Sequence, residues 1–334
     1  MGTEQSWPLT LVLIAVVSDY IGVTMMRVSL PFYARTLGGS SALIGALETG
    51  YGIGQWLGAT TLPRISDVWG RRRILALCCF CSAVGYMLAV SSIILGSPSL
   101  LLLSRVPVGL AKQTVTISRA VVADCTQTSA DRSRWMAFQC TALATGCCIG
   151  PLLASQASEL INDVAPVVIA SVMFMVLGPT VAMTLPETSS KAPCDDGSKH
   201  EQPMQGRPLW RCKKVLLVLF VLALPELGLV SHQGVSLNAY SMQYLGMDKP
   251  WIAKLTSISA VLQAVFAGTI CAALSSHGWS DVSALHLGTV SFASASLAIW
   301  WWQSPAAVMY SAPAAAFANS VLRSFPAALL SKYV

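Results

Sequence analysis

A chain of 334 residues in which 54% are hydrophobic and only 11% are charged is not a water-soluble domain, where charged residues make up about 25%. The formal charge of +6 is no nucleic-acid signature, because the basic residues gather in short loops on one side of the topology derived below. The composition requires lipid as solvent, with helices of about 20 apolar residues as the spanning element. Alternating barrel-type strands are absent, so an all-α integral membrane fold follows.

Ten spans are predicted, near residues 8–33, 42–62, 74–95, 99–122, 135–157, 163–185, 214–238, 252–274, 282–302 and 305–329. The first is long, is interrupted by Asp19 and lacks a basic start, so it does not read as a cleavable signal. The runs Ile74 to Leu95, Trp135 to Ser158, Val164 to Leu185 and Leu255 to Ser276 contain no charge. A polar segment at 186–213, rich in Pro, Gly, Ser, Lys and Asp, cannot form a core and reads as a linker. It divides the chain into a first bundle, 1–185, and a second, 214–334. Arg64, Arg71 to Arg73, Arg132, Arg134 and the basic residues of the linker fall on one side of this topology. That bias places those loops and the N-terminus in the cytoplasm.

The ten cysteines mostly sit inside apolar runs and read as small buried hydrophobes. The four histidines are scattered and show no metal-site spacing. No cofactor, metal or enzymatic constellation is expected. An intramembrane redox enzyme using the cysteines, and a non-transporting membrane sensor or scaffold, remain as rival readings.

Ionisable groups at membrane depth cost at least about 2.5–3.5 kcal/mol on insertion scales, so each needs a reason. Arg105, Lys112 and Arg119 recur every seven residues in the fourth span, which predicts a basic stripe on nearly one helix face. Counting depth at about 1.5 Å per residue puts Asp19 and Lys112 at one level near the bilayer midplane. Arg27, Glu48 and Arg105 share a shallower level. Two charged layers are therefore expected, Asp19 with Lys112, and Glu48 with Arg27 and Arg105. Glu226, near mid-depth in the seventh span, is a further candidate. Gly50, Gly54 and Gly58 form a small-residue stripe suited to close helix packing.

The turn Leu62-Pro63-Arg64-Ile65-Ser66-Asp67-Val68-Trp69-Gly70-Arg71-Arg72-Arg73 carries an Asp-x-x-Gly-Arg-Arg core. It resembles the loop between the second and third helices of major facilitator superfamily transporters. Pro63 stands where that family usually has glycine, and Val68 where it has arginine. Asp19-Tyr20-Ile21-Gly22 followed by Pro31-Phe32-Tyr33-Ala34 resembles the opening helix of drug/proton antiporters, including the tetracycline-efflux type. Arg105-Val106-Pro107-Val108-Gly109 resembles the family's Arg-x-x-x-Gly, in a span that ends in Ala123-Asp124. Gly146-Cys147-Cys148-Ile149-Gly150-Pro151 resembles the antiporter motif of the fifth helix, with Ala154-Ser155 replacing its usual glycine pair. Leu185-Pro186-Glu187-Thr188 closes the sixth span as in the family.

The resemblance implies two six-helix bundles, of which this chain would supply ten helices of twelve and end C-terminally incomplete. It implies alternating access around a cavity lined by helices 1, 4, 7 and 10, with proton-coupled antiport of a small organic solute. In that scheme Asp19 and Glu226 carry protons, and Arg27, Glu48, Arg105 and Lys112 line the cavity. Arg105 and Lys112 alternatively hold an anionic substrate. Asp67, Gly70, Arg71, Arg72 and Asp124 form a conformational relay that favours an outward-open state. Gly146, Gly150 and Pro151 form a seam against the other bundle. The expected partners are the lipid bilayer, a small-molecule substrate and protons, with the chain acting as a monomer.

Overall fold

The computed structural model describes residues 3–126, 129–187, 235–276 and 280–331. Among them are eleven helices and no strand. They are α1 (Thr3–Thr36), α2 (Ser41–Trp69), α3 (Arg71–Leu95), α4 (Pro98–Leu110), α5 (Thr114–Cys125), α6 (Ser129–Leu160), α7 (Ala165–Thr184), α8 (Val235–Gln243), α9 (Lys249–Ser276), α10 (Asp281–Trp302) and α11 (Pro305–Ser331). Seven candidate spans among the described residues are long and apolar enough to cross a membrane, one of them α4 and α5 taken together. Most of the 186–213 linker and most of the seventh predicted span, Glu226 included, lie outside the described residues.

Two compact units form, one of Met1–Ser190 with Asn238–Ile258, the other of Lys191–Leu237 with Ser259–Val334. In the first, α1 packs on α6 and α7, α3 on α4 and α7, and α2 on α4. Its core is apolar and aromatic: Leu9, Val12, Val16, Leu75 and Leu101 are fully buried, and Tyr86 stacks on Phe174 with ring centroids 5.6 Å apart. Trp56, Phe80, Val84, Met87, Val172 and Val176 point outward and exposed. Outward apolar side chains are what a lipid solvent demands, since helices already satisfy their own backbone. In the second unit α10 packs on α11, and Phe266 meets Phe317 edge-on at 6.0 Å. Ser291 Oγ donates to the Ala314 carbonyl at 3.0 Å. The exposed run Trp300 to Trp302 ends α10, the composition of a membrane-interface belt.

The fourth predicted span is not one helix. Residues 111–113 break it into α4 and α5. Lys112 N–H reaches back only three residues, to the Gly109 carbonyl at 3.0 Å, and Gln113 N–H bonds the Ala111 carbonyl at 2.7 Å. Pro107 removes a helical donor just before this point and Gly109 lowers the helical propensity of the turn. Gln113 then extends its amide to the Gln55 carbonyl of α2 at 3.3 Å. The break interrupts the seven-residue stripe: Arg105 and the Lys112 side chain are buried, whereas Arg119 is exposed.

Candidate functional site

α1 brings Asp19 and the α4–α5 junction brings Lys112 to one point inside the first unit. Lys112 Nζ donates to Asp19 Oδ2 at 2.5 Å, with side-chain exposures of 8% and 3%. The ammonium also lies 3.7 Å from the ring centroid of Tyr20. A buried pair of this kind is held by mutual attraction against a large desolvation cost, so removing either partner strands the other. The depth count from sequence therefore located a real contact.

The second expected layer does not assemble as ion pairs. Arg27, Glu48 and Arg105 form no salt bridge with one another within 4.0 Å. Arg27 and Glu48 are half-buried. Arg105 is 3% exposed and lies over the Tyr51 ring at 5.0 Å, and its Nε has no hydrogen-bond partner among the described residues. Equal depth does not set equal azimuth: a helix turns 100° per residue, and the rotation of α4 faces Arg105 toward an aromatic ring of α2. The result is a buried cation with an unused donor, seven residues before Lys112 in the same span.

At one end of the unit the Asp67-to-Arg73 turn builds a charge cluster. Arg71 pairs with Asp67 and, at 3.2 Å, with Asp124 of α5, and donates to Ser66 Oγ at 2.7 Å. Gly70, with φ of 101°, joins α2 directly to α3. Three arginines at the start of α3 oppose its macrodipole, so carboxylates are needed there. Glu187, beyond the end of α7, supplies one: it accepts from the Arg72 backbone N–H at 3.4 Å and pairs with the Arg72 guanidinium at 3.6 Å. The Leu185-Pro186-Glu187 motif is visible in sequence, but its landing site needs the fold. The relay is formed in the same structure in which Asn238–Ile258 packs on the first unit. Its formation does not require that segment to be undocked.

The Glu187 carboxylate sits where a Cβ on Gly70 would go. Gly70→Ala is thus expected to lower stability by about 1–3 kcal/mol through backbone strain and this collision together. Adding Glu187→Ala should recover only the steric part, which thermal unfolding of the single and double variants measures.

Gly146 and Gly150 of α6 face α1: a Cβ on either would stand 2.8 Å from the Val17 or Ile21 carbonyl oxygen respectively. Pro151 lies inside α6 and loosens its hydrogen bonding. Hydroxyls reach into that turn from two directions, Thr24 Oγ1 to the Gly146 carbonyl at 3.3 Å and Ser257 Oγ of α9 to the Cys148 carbonyl at 2.8 Å.

Apolar spanning helices, a buried ion pair at mid-span and a charged turn at the helix ends define a multi-pass membrane protein. The sequence profile of the Major Facilitator Superfamily matches residues 12–333, and the chain belongs to that family. It is 27% identical over 289 residues to human Solute carrier family 67 member A1, covering 82% of this chain and 66% of that protein. It is 25% identical over 294 residues to the Escherichia coli Tetracycline resistance protein, class B, covering 85% and 70%. Among solved structures, the human organic anion transporter MFSD10 (TETRAN) superposes with a TM-score of 0.68 at 21% identity, over 100% of this chain and 86% of that one. The chain spans just under two thirds of the length of its human relative, at 66%.

Proposed function

We propose that this protein is a secondary active transporter, exchanging a small organic solute for protons by alternating access. The observation that carries this reading is the Asp19–Lys112 pair, buried at mid-span and 2.5 Å long. Such a pair can be opened by protonating its carboxyl, and membrane carboxylates with this depth and partner are functional by default. When Asp19 takes a proton, Lys112 loses its counter-charge and becomes free to attract a substrate anion. The unused Nε of buried Arg105 supplies a second donor in the same span. An organic anion or zwitterion fits this cationic lining better than a lipophilic cation. The Asp67–Arg71–Asp124 cluster, with Glu187 on Arg72, serves as the conformational switch at the cytoplasmic end. Exposed pairs worth about 0–1 kcal/mol each suit a contact that forms and breaks every cycle. Relationship to a tetracycline resistance protein accords with the drug/proton branch.

Purified protein in sealed vesicles with an imposed pH gradient tests the proposal. Flux of a fluorescent organic anion is expected to follow the gradient and to vanish when a protonophore collapses it. Flux equal to that of protein-free vesicles for anions, zwitterions and cations alike would favour the sensor or scaffold reading. Flux indifferent to the gradient would remove the proton.

A further inference from the structure

We propose that Lys249 is the pin of a gate that closes one mouth of the transport path, at the end of the first unit opposite the Asp67–Arg71 cluster. This rests on the transport reading above. Lys249 opens α9, a position where the helix macrodipole disfavours a cation and where the sequence suggests only a loop charge. It is nevertheless buried. Its ammonium donates to Ser158 Oγ of α6 at 2.5 Å and stands 3.9 Å from Asp163 Oδ1. The Tyr33 and Phe32 rings of α1 lie 5.5 and 5.8 Å from it. Tyr33 in turn donates to the Asp163 carbonyl at 2.6 Å, so the aromatic wall and the counterion are fastened to each other.

The chemistry of this cage is that of a releasable contact. Asp163 is 77% exposed, so the counterion is solvated and weakly binding, in contrast to Asp19. Ser158 and the two rings offer the cation a hydroxyl and two π-faces, and water can replace all of them. Beneath the cage Val28 of α1 packs with Met242, Met247, Ile252 and Ala253 in an apolar plug.

Pro31 adds a third element. Lacking an N–H, it leaves the Arg27 carbonyl without its helical donor, and Asn238 of α8 supplies one at 3.3 Å. Ser41 and Gln243 complete the rim with a 3.0 Å bond in an exposed position. Each polar group in this set would be satisfied by water if the segment Asn238–Ile258 lifted. The Asp19–Lys112 pair, by comparison, has no exposed partner.

Two arms test the gate, both in the full-length protein in right-side-out vesicles. In the first, Ala253→Cys, buried in the plug, is labelled with a membrane-impermeant maleimide and followed by mass spectrometry of its own peptide. Adding Lys249→Met is expected to raise the labelling rate roughly tenfold, the factor carried by loss of one desolvated, hydrogen-bonded cation–π contact. A labelling rate unchanged by Lys249→Met would overturn the gate. In the second arm, Ser158→Cys with Lys249→Cys is bridged by a short bis-methanethiosulfonate, since the lysine arm holds these backbones further apart than a disulfide spans. Bridging is expected to stop transport and dithiothreitol to restore it. Undiminished flux through a fully bridged protein would equally overturn the gate. An unmodified protein that moves no solute sinks the transport reading, while the labelling arm still decides whether Lys249 pins this end.

Discussion

Replacing Asp19 by asparagine is expected to abolish gradient-driven flux and to lower stability by about 3–5 kcal/mol, the cost of leaving a buried ammonium without its counter-charge. Lys112 has few alternatives, since its side chain is only 8% exposed and its other neighbour is the Tyr20 ring. The double variant Asp19→Asn with Lys112→Met separates structure from function. Removing both charges takes away the stranded cation, and apolar replacement of a whole buried pair is often neutral or stabilising. The double variant should therefore melt near the parent temperature while its proton-coupled flux stays lost. A double variant that regains both stability and coupled flux would make the pair a static brace and pass proton handling to another group. Retained pH-dependent flux in Asp19→Asn alone would have the same meaning.

The second large effect concerns α2 and α4. A Cβ on Gly54 would strike the Val106 carbonyl and stand 3.2 Å from the Gly109 Cα, and one on Gly58 would strike the Leu110 carbonyl. The contact is reciprocal, because a Cβ on Gly109 would meet the Tyr51 carbonyl and stand 3.1 Å from the Gln55 N. These obstacles are backbone atoms, which cannot rotate away. Gly54→Ala and Gly58→Ala are each expected to cost about 1–3 kcal/mol by overpacking, and Gly54→Leu to prevent assembly of the unit. Gly52, on the same helix with nothing within 4 Å of its Cβ position, is the control. Gly52→Ala should be neutral or stabilise by up to about 1 kcal/mol, as alanine does in a helix. Thermal unfolding in one detergent ranks all four.

What could be read from sequence, and what could not, divides along a physical line. Helical rise is uniform, so depth can be counted, and counting placed Asp19 opposite Lys112. Rotation and neighbour choice are not local properties. Glu48, Arg27 and Arg105 share a level yet face different partners, with Arg105 on Tyr51 instead of a carboxylate. The seven-residue stripe presumed a continuous helix, and the turn at 111–113 put Arg119 outside. Arg71 with Asp67 and Asp124 was legible because the partners sit at helix ends, where motif order fixes proximity. Glu187 was legible as a motif but not as the partner of Arg72. Lys249 read as a loop charge, because the burial that singles it out comes from α1 and α6, more than 80 residues away along the chain.

The interrupted helix has a mechanical consequence. α4 is clamped to α2 through interlocked glycine backbones, while α5 is tethered to α3 through Asp124 and Arg71. Residues 111–113 interrupt the hydrogen-bond ladder between tether and clamp, so the two halves of the span are not one rigid rod. Arg105 rides on the fixed side and Lys112 on the joint itself. A small swivel would thus carry the ammonium of Lys112 relative to a stationary guanidinium, letting one span act as both anchor and crank.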